Sequence, residues 1–216
     1  MNEARPRLAV AVLVSGSGSN LQALIDRFGA PTSSVEVRLV VASRPGIRAL
    51  DRAASAGIRS VVLPADRIEA DAVLRDALSD AALDLVVLAG YLRLIPASLV
   101  DRWEGRMLNI HPALLPLFGG PGMYGRKVHE AVLTAGVSET GATVHLVDER
   151  YDGGPIVAQR RVAVCDGDDA DILAARVLAA EHELLPDVLA AIADGTCRLE
   201  AGGAHWTVPL TNSGEN

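Results

Sequence analysis

Cysteine is nearly missing from this chain: Cys165 and Cys197 are the only two in 216 residues, and neither belongs to a CxxC or a repeated spacing. That excludes a disulfide framework and leaves two ordinary thiols of a reducing compartment. Aromatic residues are scarce as well, at 3%, too few for the stacking platforms of a single-strand nucleic-acid binder. Positive charge is in deficit, with 20 Lys and Arg against 27 Asp and Glu, which argues against a polyanion as the main partner. A small phosphorylated ligand stays open, because backbone N–H groups and one or two arginines hold a phosphate without a basic surface. No apolar run approaches the roughly eighteen residues of a membrane span, and "MNEARPR" at the N-terminus has no apolar segment of a signal peptide. The expectation is a cytoplasmic protein with neither nucleic acid nor membrane as partner.

What is present is a chain rich in Ala, Val and Leu, long enough to bury a full core as a single domain over 1–216. Apolar runs compatible with buried strands recur at Leu8 to Val14, Val35 to Ala42, Ser60 to Leu63, Leu85 to Ala89, Met107 to His111, Ala142 to Val147 and Pro155 to Val164. Helical patterns separate the first five. Strands alternating with helices predict an α/β fold: a mostly parallel twisted sheet flanked by helices, with later strands antiparallel at an edge. The clearest helix starts near Asp168 to Asp171, where acidic residues suit the positive end of the helix dipole. It carries Ile172, Leu173, Val177, Leu184, Leu185, Val188, Leu189 and Ile192 at helical spacing, should kink at Pro186 and should end at Gly195. The core is expected over about 8–195, followed by a polar tail from about Gly202 that frays at its end.

Two stretches carry chemistry. "LAVAVLVSGSGSNLQALI" reads as strand, glycine loop and helix start, the arrangement that aims free N–H groups at an anion. Ser17, Ser19 and Asn20 add side-chain donors there. A plain tight turn is one alternative. A dinucleotide fingerprint is another, although Leu21 occupies the place of its third glycine and the second strand ends in "ASRPG" without a ribose-binding acid; Ser43 and Arg44 could then meet an NADP phosphate. In "MLNIHPALLP", strand alternation puts Asn109 and His111 on one face, and Pro112 places them at the strand's carboxyl end, where open α/β sheets put their ligands. Further on, "ERYDGGP" offers Asp152 in a glycine turn. Asn, His and Asp without a nucleophile elbow argue against a covalent acyl-enzyme and suit direct acyl transfer. A carboxylate near the imidazole favours imidazolium, whose N–H could stabilise an oxyanion together with the Asn109 amide. Metal binding competes, but no second His or Cys is placed to complete a transition-metal site. His129, His182 and His205 read as structural, with His145 less certain.

"SGSGSNLQALI", "VVLAGYLRLI", "LNIHPALLP", "TGATVHLVDERYDGGPIV" and "AARVLAAEH" follow one another in the order and spacing of the phosphoribosylglycinamide formyltransferase family of folate-dependent enzymes. The resemblance covers roughly residues 8 to 195. Methionyl-tRNA formyltransferases and formyltetrahydrofolate deformylases would need a further domain for which 216 residues leave no room. The resemblance implies a Rossmann-like formyltransferase fold and formyl transfer from 10-formyltetrahydrofolate, as co-substrate, to the amine of glycinamide ribonucleotide, without a metal. It implies that Asn109 and protonated His111 stabilise the tetrahedral intermediate while Asp152 raises the histidine pKa and relays protons through water. It assigns Gly18, Ser19 and Asn20 to the substrate phosphate and Glu181 to the ribose hydroxyls. Leu92, Arg93, Leu94 and Ile95, together with Asn109, fall to the folate, Asp148 to Asp152 to a loop closing over it, and Arg67 to its glutamate tail. The chain departs from the pattern at Leu178, where some members carry glutamine, at Ala113, where serine is common, and in "LFGGPGMYGRKVHEAV", which predicts a mobile glycine-rich flap over 117–126 with Met123 and Tyr124 near substrate. Two other functions remain open on the sequence, an NADP-dependent oxidoreductase and a noncatalytic phosphosugar-binding protein.

Overall fold

The computed structural model describes residues 7–80, 82–208 and 210. The chain runs β1 (Leu8–Val14), α1 (Ser19–Phe28), β2 (Val35–Ala42), α2 (Arg48–Ser55), β3 (Arg59–Val62), α3 (Arg67–Asp80), β4 (Leu85–Ala89), α4 (Ala97–Arg102), β5 (Met107–His111), α5 (Arg126–Ala135), β6 (Glu139–Leu146), β7 (Ile156–Ala163), α6 (Ala170–Asp194), β8 (Cys197–Glu200) and β9 (Gly203–Trp206). Seven strands form one sheet in the order β3-β2-β1-β4-β5-β6-β7. The pairs from β3 through β5 are parallel, and β6 and β7 are antiparallel to their neighbours.

Strand alternation splits the core between the two faces of this sheet. Val10, Val12 and Val14 pack with α1, α2, α5 and α6, while Ala11 and Leu13 pack with α3 and α4. Both faces are covered, which is why β1 and β4 read as unbroken apolar runs rather than alternating ones. From β1 the chain builds outward through β2 and β3, then returns to place β4 on the other side of β1. The strand order therefore reverses between β1 and β4, and the carboxyl ends of those strands open the crevice where such sheets take ligands. Ser15 closes its base: its N–H donates to the Gly90 carbonyl at 3.1 Å and its Oγ accepts the Leu92 N–H at 2.9 Å.

Four of the expected strands match residue for residue and three shift at their ends: β3 is Arg59–Val62, β6 begins at Glu139 and β7 is Ile156–Ala163. The Asp169 carboxylate caps α6 by accepting the Asp171 and Ile172 N–H groups, and Gly195 ends it in the left-handed conformation at φ 85°. The helix continues through the buried Pro186 as one element. Ile172 departs from its expected place in the core, lying 48% exposed in the first turn. The polar tail expected from Gly202 instead takes part in a two-stranded ribbon of β8 and β9, held to the main sheet by the Trp206 Nε1–H, which donates to the Val157 carbonyl at 3.0 Å. Strands of four residues leave too little alternation to read. The expected fraying lies outside the described residues.

Candidate active site

A cavity of about 870 Å³ lies over the carboxyl ends of β1, β4 and β5. The glycine loop Gly16 to Asn20 forms one wall, Leu92 to Ile95 a second, and Asn109, His111 and Asp152 the floor between them. Glu181 and Leu178 close the side from α6, and Met123 and Tyr124 approach from the flap. Arg67 opens α3 and is not among the residues that line this cavity. Ser43 and Arg44 do not line it either.

The glycine loop is shaped by helix α2. Gly18 sits at φ 70°, and a Cβ on it would stand 2.6 Å from the Ala49 Cβ. Only glycine meets both demands. No side chain caps α1 at Gly18, which leaves its first-turn N–H groups for an anion. Asn20 differs from expectation, because its Nδ2–H donates to Glu181 Oε2 at 2.7 Å instead of pointing at a phosphate, while its Oδ1 is buried without a partner. Glu181 is 7% exposed. Burial pushes its pKa up to about 7, against the opposing pull of the Asn20 amide.

At the floor, β5 and β6 pair so that Asn109 lies opposite His145 and His111 opposite Thr143. Buried Thr143 donates its hydroxyl to the Ala113 carbonyl at 2.6 Å and accepts the Leu115 N–H at 3.1 Å, fixing the turn after β5. The His145 Nδ1 lies 2.8 Å from the Leu146 carbonyl. A carbonyl can only accept, so Nδ1 carries a proton, and Nε2 lies 3.0 Å from the Asn109 Nδ2. An Asn109 amide hydrogen points to Asp152 Oδ1 across a long 3.3 Å. Sequence reasoning missed this contact of His145; the signal was the alternation in "TGATVHL", which puts Thr143 and His145 on one face.

Asp152 holds its place in the left-handed region at φ 51°, a conformation that an Asp enters more readily than bulkier residues. Its Oδ2 accepts the Gly120 N–H at 2.9 Å, and its Oδ1 stands 3.6 Å from both His111 Nδ1 and His145 Nε2. Burial works against its ionisation, but the His145 contact, the neighbouring imidazoles and the Gly120 N–H outweigh burial and hold the carboxyl below its usual range. His111, 3% exposed, donates its Nε2–H to the Phe118 carbonyl at 2.8 Å. Burial lowers the His111 pKa more than the Asp152 carboxylate and the Phe118 bond raise it. Desolvation thus opposes the expected imidazolium more than the carboxylate favours it. The flap joins the site through the contacts of Phe118 and Gly120, which no sequence pattern announced.

Glu181→Gln should separate this buried acid's cost from its use. Its raised pKa means that the unfolded chain ionises first, so the residue costs the fold nothing below about pH 4.5 and its full penalty above about pH 7. That interval corresponds to roughly 3 kcal/mol. Urea unfolding at pH 8 should find Glu181→Gln more stable than wild type, with the gain vanishing near pH 4.5; an equal difference at both values would show that burial is not the cause.

Among the described residues no three His, Cys, Asp or Glu side chains are arranged to hold a metal ion, and no helix is long and apolar enough to cross a membrane. The sequence profile described as formyl transferase matches residues 8–189. The human trifunctional purine biosynthetic protein adenosine-3 is 42% identical over 207 residues, 94% of this chain and 20% of that protein. The chain thus spans about a fifth of the length of that relative. The chloroplastic phosphoribosylglycinamide formyltransferase of Arabidopsis thaliana is 41% identical over 97% of this chain and 72% of its own length. Among solved structures, the phosphoribosylglycinamide formyltransferase of Anaplasma phagocytophilum superposes with a TM-score of 0.87 at 36% identity, covering 96% of this chain and 97% of the other. A formyltetrahydrofolate deformylase from Pseudomonas syringae shares the fold at a TM-score of 0.82 and 22% identity, over 94% of this chain and 67% of the other.

Proposed function

This chain belongs to the formyl transferase family, and from that premise we propose that it transfers the formyl group of 10-formyltetrahydrofolate to the amine of 5'-phosphoribosylglycinamide, a step of purine biosynthesis. The observation that carries the proposal is one continuous cavity joining an uncapped helix start, an apolar slot and the trio Asn109, His111 and Asp152. The helix start suits a phosphate, the slot a flat ring system, and the trio a carbonyl that gains negative charge. Nothing in a noncatalytic phosphosugar binder would use all three.

In this reading the phosphate rests on the N–H groups at Gly18 to Asn20, and the ribose hydroxyls reach Glu181. The pterin lies along Leu92 to Ile95, of which Ile95 is buried while Leu92 and Leu94 stand 58% and 46% exposed and free to pack on a ligand. The substrate amine attacks the formyl carbon, the carbonyl electron pair moves to oxygen, and collapse expels the folate nitrogen; the proton lost by the amine replaces the formyl group on that nitrogen. The Asn109 hydrogen that now spans 3.3 Å to Asp152 is the one held loosely enough to turn to the oxygen. His111 offers its Nε2–H once the Phe118 carbonyl moves aside, so the flap must shift for the site to work. Asp152, ionised between two imidazoles, supports positive charge on His111 when the oxygen becomes negative and passes protons through water. We assign the chain to the cytoplasm and read it as one formyl-transferring domain without a metal. The Arabidopsis relative is named as chloroplastic, so the compartment does not follow from the family.

The test is an assay with both substrates, following the folate product by absorbance; no product with folded protein would overturn the proposal. A folate analogue should also raise the melting temperature by several degrees at saturation, through binding to the native state alone, whereas NADPH should not. Protection by NADPH and not by folate would restore the oxidoreductase.

A further inference from the structure

The glycine loop is held from behind. The Gly16 carbonyl accepts the Ala49 N–H at 3.3 Å, and the Ser17 carbonyl accepts the Arg52 Nε–H at 2.9 Å. Both loop carbonyls are thereby drawn onto α2, away from the cavity that Gly16 to Asn20 line on their other side. Arg52 also donates Nη1–H to Gln22 Oε1 at 2.7 Å, and Gln22 in turn donates Nε2–H to Asp26 at 2.8 Å. A carbonyl and an amide oxygen orient the guanidinium but do not cancel its charge. On the cavity side, Leu178 contributes no polar group to a phosphate.

Resting on the function proposed above, we propose that Arg52 is a positioning residue for the substrate phosphate. It pins the Ser17 carbonyl so that the following N–H groups face the anion, and it places a cation behind the loop that holds a dianionic group. Its side chain does not line the cavity, so its effect passes through the loop. Losing a charge-assisted hydrogen bond that shapes an anion site typically weakens binding on the order of tenfold. The cost should fall on the phosphate alone.

The experiment compares wild type, Arg52→Ala and Arg52→Lys on phosphoribosylglycinamide and on its dephosphorylated glycinamide riboside. Arg52→Ala should raise KM for the phosphorylated substrate about tenfold with kcat within about twofold, leave KM for 10-formyltetrahydrofolate unchanged, and leave kcat/KM for the riboside unchanged. Arg52→Lys keeps the charge without the planar fork and should recover part of the loss. If Arg52→Ala does not fold, an Arg52→Lys penalty seen with the phosphorylated substrate and not with the riboside supports the same role. Equal effects on both substrates, or no effect on either, would overturn the assignment. Wild type that turns over no phosphoribosylglycinamide overturns the function first and this inference with it, whereas an active wild type with indifferent variants overturns only the role of Arg52.

Discussion

Asn109→Ala should lower kcat by on the order of a hundred- to a thousandfold while KM for both substrates stays within about twofold, which corresponds to about 3 to 4 kcal/mol of lost transition-state stabilisation. The asymmetry follows from where the amide points. Its Nδ2 stands 3.0 Å from His145 Nε2, and a hydrogen stretches 3.3 Å to Asp152, so neither contact is arranged around a neutral carbonyl. In the proposed reaction the hydrogen becomes valuable only when the formyl oxygen acquires charge. Steady-state kinetics would decide the matter, with thermal unfolding as a control for the emptied place beside His145. A variant that keeps kcat and loses KM would move Asn109 from the chemistry to ground-state binding.

Asp152→Asn should reduce turnover by at least about a hundredfold and shift the His111 titration still further down. The substitution keeps the shape and an acceptor for the Gly120 N–H, so the flap contact can persist while the charge disappears. Burial already holds the His111 pKa below its usual value, and the carboxylate is the first of the influences opposing that drop. With the carboxylate gone desolvation acts with less opposition, and imidazolium becomes harder to form at neutral pH. Nuclear magnetic resonance titration of the His111 ring protons in wild type and variant would give the shift directly. Near-normal turnover of Asp152→Asn at neutral pH, or loss of wild-type activity on adding a chelator, would be incompatible with this metal-free chemistry.

Much of this arrangement is legible in the sequence because it rests on patterns of short range. The run from Leu8 to Asn20 contains a buried strand, a glycine turn and a helix start in thirteen residues, and alternation alone puts Asn109 and His111 together. The fate of a charge is not legible there. Proximity of Asp152 to His111 is a two-body statement that a motif conveys, whereas the lowered His111 pKa depends on how many groups surround the ring, which only packing fixes. The same limit explains Asn20. Its place in the loop suggests a local donor, yet its partner Glu181 lies 161 residues away on α6.

The hydrogen bond from His111 to the Phe118 carbonyl turns the flap into a competitor carried on the same chain. Its local concentration does not fall on dilution, so no amount of protein or buffer titrates it away. Ligand meets a population in which only the fraction with the carbonyl withdrawn has a free Nε2–H, and where a ligand needs that N–H the apparent affinity is the intrinsic one reduced by that fraction. A change at Phe118, which does not itself line the cavity, can therefore retune working affinity without altering the side chains that do. Such a protein carries its selectivity in the pocket and its set point in the loop.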